Sequence, residues 1–234
     1  TLALAYVMEE GLPKQFSKVP IDSLEAAAKR LHDMGYKKVG LWGISKGAEL
    51  ALTAGSLLPG LVNAVIAVAP MNTVCQGFAK DKGISFVPGS SWSFHGEEVP
   101  YTSYGMEKFP LGYILWKSIQ IRDVTMYDLY LPLVQNPDPA AVIQVEKITG
   151  PILLISSKMD NMWPSELAAK QITKEHSFPY FYQHLSYDHG GHMFVPMEFG
   201  QTKLFKGDRG KNKEPGLKAR LDSLVKTLEF VSRW

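Results

Sequence analysis

The 234-residue sequence contains a single cysteine, Cys75, so the chain cannot form an internal disulfide. It has no apolar run long enough to cross a membrane, and no segment resembles a signal peptide. The formal net charge of +2 is too small to indicate nucleic acid as the main partner. These absences predict a chain without a membrane span and without nucleic acid as its main partner, and the single cysteine fits a reducing, cytoplasmic compartment.

The first residues have the character of a strand interior rather than of a chain start. The sequence opens with TLALAYV, without an initiator Met, and LALAY at 2–6 has the composition of a buried strand. We therefore expect further residues upstream, including the first strands of the sheet, and a targeting segment there is not excluded. A sheet without its first strands exposes an edge that can pair with another copy, which predicts a tendency to form a homodimer.

Apolar segments alternate with helical segments along most of the chain. Strands are predicted at 37–43, 61–70, 151–157 and 178–185, and helices at 23–34, 46–58, 164–176 and 217–234. Continuous apolar strands that alternate with helices are typical of a parallel sheet covered on both faces. The expected fold class is α/β, with a mostly parallel sheet, in a single domain that spans residues 1–234.

The alternation breaks between about residues 71 and 135, where Gly, Pro, Ser and aromatic residues are frequent. The stretch is too long for a plain loop, and long insertions in compact domains are usually functional. We expect this insertion to form an aromatic-rich cap over the ends of the strands.

The stretch GLWGISKGAEL at 40–50 places Ser45 between Gly43 and Gly47 on a turn from a strand to a helix. In this context Gly-x-Ser-x-Gly is the nucleophile-elbow pattern of the α/β-hydrolase fold. Glycines two residues before and after the serine would remove Cβ atoms that clash at a strained turn. The pattern predicts Ser45 as a nucleophile and the backbone N–H of Lys46 as an oxyanion donor. The alternative is a purely structural turn. We expect the Lys46 side chain on the helix surface.

A serine hydroxyl needs a base that accepts its proton, and in this fold an acid and then a histidine follow the serine along the chain. Asp160, just after the strand PILLISS, is the predicted acid, with Asp188 as the alternative. The loop SYDHGGHMF offers His192 as the predicted base and His189 as the alternative. Two histidines without a third nearby ligand make a weak zinc site, so we expect no metal and no cofactor.

Two further features allow more than one interpretation. Cys75 follows the third strand, near the place where a substrate could bind, but a lone cysteine is more often a small buried apolar residue than a nucleophile. The basic run at 203–220 is typical of a solvated loop, and the alternative is a contact with a phosphate-bearing substrate.

Four stretches together resemble the C-terminal catalytic domain of acyl-CoA thioesterases and bile acid-CoA:amino acid N-acyltransferases: ALAYVMEEGLPKQF, GISKGAEL, MDNMWPSE and GGHMFVP. The resemblance covers most of the chain and is weak through the aromatic insertion. It implies an aspartate shortly before a tryptophan and a Gly-His before a proline, which here are Asp160 and His192. It also implies a serine hydrolase that cleaves thioesters or esters through an acyl-enzyme, with an acyl-CoA as the substrate.

Three features depart from that family pattern. The elbow has Gly47-Ala48 where the family usually has two glycines, and no β-sandwich domain precedes it in this sequence. The family's glycine-rich loop, which supplies a second oxyanion N–H, lies upstream of LALAY, so the Lys46 N–H alone would leave the oxyanion hole half built. We therefore expect either a longer protein or an impaired fragment.

Three other functions remain open from the residues alone. In the family, transfer of the acyl group to amines goes with a cysteine at the elbow, so Ser45 favours hydrolysis over N-acyltransfer. A general carboxylesterase or peptidase of the same fold is a further alternative, because a fold does not determine a substrate. The last is a binding domain that has kept the fold without catalysis.

Overall fold

The computed structural model describes residues 1–79, 85–106, 108–175, 179–196 and 204–234. The elements in chain order are β1 (Val19–Pro20), α1 (Asp22–Asp33), β2 (Gly40–Ile44), α2 (Lys46–Leu57), β3 (Ala64–Val68), β4 (Gln76–Ala79), β5 (Ser85–Ser90), β6 (Trp92–Phe94), β7 (Glu97–Glu98), α3 (Leu111–Ile121), α4 (Tyr127–Gln135), β8 (Ile152–Ser157), α5 (Ser165–Glu175), β9 (Tyr182–Tyr187) and α6 (Lys213–Arg233). Over these ranges we find no helix with the length and apolar character needed to cross a bilayer.

The central sheet has the order β2-β3-β8-β9, and all of its neighbouring strands are parallel. Its inner strand β3 is buried at every position. Val65 and Ala67 pack in the cluster that contains α2 and α5 residues, whereas Ala64, Ile66 and Val68 pack with Phe230 of α6. Helices therefore cover both faces, which explains why the strand is apolar throughout. The predicted α/β class with a parallel sheet is confirmed.

The strand predicted at residues 2–6 does not form. These residues have no regular secondary structure, and the Leu2 side chain is exposed. A strand is stable only beside a neighbour that pairs its backbone groups, and LALAY has no such neighbour among the described residues. Within the described ranges, strand β2 lies at one edge of the sheet and pairs only with β3. The expected homodimer stays a prediction.

The aromatic insertion at 71–135 contributes to two different parts of the structure. In its first half, β6 pairs with β1, and Trp92 is fully buried in the cluster that contains α1 and α2 residues. In its second half, α4 joins a separate cluster in which Tyr130 packs against Trp163, shortly after β8. The second half therefore has a position that suits a cap, and Phe86 of β5, in the first half, packs against the same cluster. Residues 80–84 and 107 of the predicted insertion lie outside the described residues.

The predicted helix at 164–176 and strand at 178–185 are observed as α5 and β9, with shifted ends. Their boundary residues 176–178 lie outside the described part of the chain. The carboxyl ends of β2, β3 and β8 meet at one edge of the sheet because the strands are parallel, and the loops that follow them build the candidate site.

Candidate active site

Ser45 occupies the turn between β2 and α2 with φ of 57° and ψ of −125°. A non-glycine residue at positive φ is strained, and such strain is concentrated at functional sites. Its backbone N–H donates a hydrogen bond to the carbonyl oxygen of Val68, at the end of β3, with a length of 2.9 Å. The sharp turn therefore has support from the neighbouring strand.

The two glycines beside Ser45 have different roles. A Cβ atom added at Gly43 would overlap the carbonyl group of Gly47, so only glycine fits there. A Cβ atom added at Gly47 would meet only the Tyr6 hydroxyl, at an ordinary contact distance of 3.5 Å. The predicted clash is therefore right for Gly43 and wrong for Gly47. The close contact arises at Gly43 of β2, which approaches the backbone of α2 at Gly47. The Gly47 position itself has room for a methyl group.

The fold brings Ser45, Asp160 and His192 together. Nε2 of His192 lies 2.7 Å from Oγ of Ser45, and Nδ1 of His192 lies 3.0 Å and 3.1 Å from the two carboxylate oxygens of Asp160. Both Asp160 and His192 are buried. A carboxylate beside Nδ1 favours the tautomer with a proton on Nδ1, which leaves Nε2 free to accept the serine proton.

The Asp160 carboxylate is oriented by the loop that follows it. Its Oδ1 atom accepts the backbone N–H of Met162 at 3.0 Å, and its Oδ2 atom accepts the Ser165 hydroxyl at 2.6 Å. Ser165 is the first residue of α5 and is fully buried. Sequence reasoning missed Ser165, although a serine that starts a helix soon after the acid is a readable signal.

Trp163 covers the histidine ring. The two rings meet edge to face, with centroids 5.0 Å apart. The indole Nε1–H donates to the carbonyl oxygen of Ala69, just after β3, at 3.1 Å. This contact ties the loop of Asp160 to the end of the neighbouring strand and helps to keep His192 out of water.

The alternative site residues lie elsewhere. Asp188 forms a 2.5 Å ion pair with Lys158 on the surface, and that ammonium holds the pKa of the Asp188 carboxyl below its ordinary value. His189 has its Nδ1 atom buried without a hydrogen-bond partner among the described residues.

A cluster of possible metal ligands occurs at the start of α1. Within the described ranges, the side chains of Asp22, Glu25 and His95 form the one group of three such residues whose ligand atoms lie within 4.8 Å of one another. His189 and His192 are not part of it.

The side chain of Lys46 is buried, so its predicted place on the helix surface is wrong. Its Nζ atom lies 2.8 Å from both carboxylate oxygens of Glu49, which is itself 0% exposed. The same carboxylate accepts the indole N–H of Trp92 at 2.8 Å and the backbone N–H of Cys75 at 3.2 Å. The i, i+3 spacing puts Lys46 and Glu49 on one side of α2, and this side faces Trp92 instead of solvent.

Cys75 is fully buried, and burial, together with the nearby Glu49 carboxylate, raises the pKa of its thiol well above the ordinary value. A thiol held in the protonated form is a poor nucleophile. The environment therefore favours the interpretation of Cys75 as a packing residue.

A groove lies between the start of α4 and α3, with a volume of about 230 Å³. Its wall includes Ile114, Met126 and Leu129, which belong to the aromatic cluster around Trp163. The Met126 N–H donates to the Met162 carbonyl at 3.1 Å, so this wall adjoins the loop of Asp160. A larger hollow of about 440 Å³ lies between α6 and the amino ends of β8 and β9, the opposite end from Ser45.

The basic run at 203–220 is not a uniformly solvated loop. Arg220 is 1% exposed and forms an ion pair with Asp208, whereas Lys218 pairs with Glu214 on the surface of α6. Lys203 lies outside the described residues. The expectation of a solvated loop is therefore wrong for Arg220, because this residue belongs to α6 and its side chain is buried against Asp208.

Comparison with known proteins gives concordant matches. Residues 24–200 match the family model described as BAAT / acyl-CoA thioester hydrolase C terminal. The chain is 30% identical over 177 residues to acyl-coenzyme A thioesterase 5 of Mus musculus, a match that covers 74% of this chain and 37% of that protein. It is 30% identical over 179 residues to acyl-coenzyme A thioesterase 1 of Homo sapiens, with the same two coverages of 74% and 37%.

Solved structures are more distant. The acylaminoacyl peptidase of Pyrococcus horikoshii matches with a TM-score of 0.46 and 13% identity, covering 91% of this chain and 27% of that chain. The match to each of the two thioesterases named above covers 37% of that protein, so the present chain spans well under half the length of these relatives.

Proposed function

Because the chain belongs to the BAAT / acyl-CoA thioester hydrolase C-terminal family, we propose that it is a serine hydrolase that cleaves acyl-CoA thioesters. The family that the sequence resemblance indicated is thereby confirmed. One observation carries the proposal: a buried histidine lies within hydrogen-bond distance of a strained serine on one side and of a carboxylate on the other. The relatives named as acyl-coenzyme A thioesterases support the substrate class.

The geometry suits acyl transfer in two steps. Ser45 Oγ attacks the thioester carbonyl carbon while His192 Nε2 takes the hydroxyl proton, and Asp160 stabilises the resulting imidazolium. The Lys46 N–H, at the start of α2, donates to the oxyanion. When the carbon–sulfur bond breaks, the departing CoA thiolate takes the proton from His192, and the acyl group remains on Ser45 as an ester.

The second step returns the enzyme to its starting state. Water attacks the acyl ester while His192 Nε2 accepts a proton from it, and His192 then donates this proton to Ser45 Oγ as the carboxylic acid leaves. The acyl ester on a serine is less reactive toward amines than the acyl thioester that a cysteine nucleophile would form. Ser45 therefore favours water over an amine as the acceptor of the acyl group. The product is a carboxylic acid and free CoA.

The groove beside α3 and α4 is the proposed site for part of the acyl chain. Its wall is formed mainly by apolar side chains such as Ile114, Met126 and Leu129, which suits a hydrocarbon. Its volume of about 230 Å³ is below the range of about 300–1,000 Å³ that is typical of ligand pockets. The remainder of an acyl-CoA therefore lies outside it.

The test is labelling with a fluorophosphonate probe, combined with intact mass and a panel of acyl-CoA substrates. We expect one adduct on the wild-type protein, no adduct on Ser45→Ala, and strongly slowed labelling of Asp160→Asn. Asp188→Asn is the matched control, because Asp188 is an exposed carboxylate in the same loop as His192. Labelling that persists in Ser45→Ala would contradict the serine mechanism. An acyl-CoA cleaved no faster than a simple aryl ester would contradict the substrate class.

A further inference from the structure

A buried ion pair lies next to the loop that follows β9 and carries His192, here called the histidine loop. Asp208 ends a short 3-10 turn over Lys206–Asp208, and Arg220 lies on α6. The Arg220 Nε atom is 3.3 Å from Oδ1 of Asp208, and the two side chains are 1% and 0% exposed. Burial of a carboxylate is unfavourable unless a partner compensates its charge, and Arg220 supplies that compensation.

The other carboxylate oxygen of Asp208 contacts the histidine loop directly. Oδ2 accepts the backbone N–H of Gly191, the residue before His192, with a length of 2.6 Å. One residue earlier, the Gly190 N–H donates to the carbonyl oxygen of Gly207 at 3.1 Å. Two successive backbone groups of the loop are therefore bound by the turn that contains Asp208.

The segments approach so closely that side chains are excluded at several positions. A Cβ atom at Gly207 would overlap the Gly190 carbonyl, and one at Gly191 would overlap Phe205. A Cβ atom at Gly216 of α6 would overlap the Gly207 carbonyl. The histidine loop, the turn and α6 thus meet backbone against backbone, and a displacement of one segment is transmitted to the next.

We propose that Asp208, held by Arg220, is a positioning residue that holds the Gly191 N–H and thereby sets the place of His192 relative to Ser45. This inference rests on the proposed function of His192 as the base. A hydrogen bond to a charged acceptor is stronger than a neutral one, which suits a group that must hold a loop. Both residues lie beyond 24–200, the segment that matches the family model.

The test separates the hydrogen bond to Gly191 from the ion pair. The double variants D208N/R220M and D208A/R220M both lack the two buried charges, so neither leaves one unpaired. Asn retains an oxygen that can accept the Gly191 N–H, whereas Ala does not. Asp222→Asn is the control, because Asp222 of α6 accepts the Tyr187 hydroxyl at 2.8 Å and, in the part of the chain that the structure describes, forms no hydrogen bond with Gly191.

We expect kcat of D208A/R220M to be about 10- to 100-fold below that of D208N/R220M, with KM changed by less than about twofold. The Gly191 amide should exchange its hydrogen at least about tenfold faster in D208A/R220M than in the wild type. In D208N/R220M and in Asp222→Asn this amide should exchange at about the wild-type rate. Asp208→Asn as a single change gives a second comparison. It should unfold most easily, because Arg220 loses its counter-charge, yet it should retain the kcat of D208N/R220M at a temperature where all variants are folded.

A merely structural pair would make kcat follow stability across these variants, which would overturn the proposal. Equal kcat and equal exchange at Gly191 in the two double variants would also overturn it. If the wild-type protein cleaves no thioester or ester, the proposed function is wrong, whatever the role of Asp208. The exchange rates then still decide whether Asp208 holds Gly191, and equal rates reject the inference.

Discussion

Oγ of Ser45 points at Nε2 of His192 across 2.7 Å because the serine backbone adopts a φ of 57° at the end of β2. An extended strand would carry the side chain to one face of the sheet, whereas this turn projects it beyond the strand end. Holding a non-glycine residue in such a conformation costs about 1–3 kcal/mol. The geometry of the pair is therefore obtained at the expense of stability.

The strain at Ser45 predicts that the protein is more stable with glycine there than with alanine. Ser45→Ala and Ser45→Gly both remove Oγ, so both should lower kcat/KM by about 10³-fold or more. Only glycine relieves the positive φ, and this gain exceeds the entropy cost of glycine in the unfolded chain. Urea denaturation should give Ser45→Gly a free energy of unfolding about 1 kcal/mol above that of Ser45→Ala. Equal stability of the two variants would show that the turn is not strained.

The two glycines of the elbow should respond differently to the same change. Gly43→Ala places a methyl group against the Gly47 carbonyl and should reduce the free energy of unfolding by about 3 kcal/mol. Gly47→Ala meets only the Tyr6 hydroxyl and gains helix propensity, so its effect should stay within about 1 kcal/mol. Thermal unfolding of both variants checks this order. A Gly47→Ala protein as unstable as Gly43→Ala would contradict it.

The buried pair of Lys46 and Glu49 should show strong coupling in a double-mutant cycle. Glu49→Gln leaves the Lys46 ammonium without its counter-charge and should cost about 3–5 kcal/mol. Adding Lys46→Met removes that unpaired charge and should recover at least about 1 kcal/mol. The exposed pair of Lys218 and Glu214 serves as the control, because exposed pairs contribute little. If the losses in free energy of unfolding of the two single variants add up to the loss of the double variant, the result would argue against a buried charge pair.

His184 should make the protein less stable as the pH falls. Burial lowers the pKa of His184 below its ordinary value of 6.5, and the nearby Glu166 carboxylate opposes this effect more weakly. The unfolded chain therefore binds a proton below about pH 6.5 while the folded protein resists it, so the free energy of unfolding decreases with falling pH in that window. His184→Gln keeps a polar partner for the buried Ser156 hydroxyl and removes the titration. Between pH 7.5 and 5.5 the melting temperature should fall less in His184→Gln than in the wild type; an identical fall would reject the assignment.

The local pattern of the sequence was sufficient for the α/β class and for the candidate site residues. Strand β3 is apolar at every position because both faces of an inner parallel strand are covered, and that property can be read without a partner. The elbow around Ser45, and the order of Asp160 and His192 after it, are also local motifs. Their short mutual distances agree with the predicted arrangement, and their catalytic roles stay a proposal.

Tertiary structure decided what depends on a neighbour. LALAY has the composition of a strand, but a strand forms only where another strand satisfies its backbone groups. The side of α2 that carries Lys46 looks like a surface until Trp92, far along the chain, covers it. The contact of Asp208 with Gly191 likewise exists only because α6 returns to the end of the sheet. The sequence by itself determines which side chains are available and what each can do chemically; packing determines which of them meet, because burial and hydrogen bonding depend on distances between segments that no local pattern encodes.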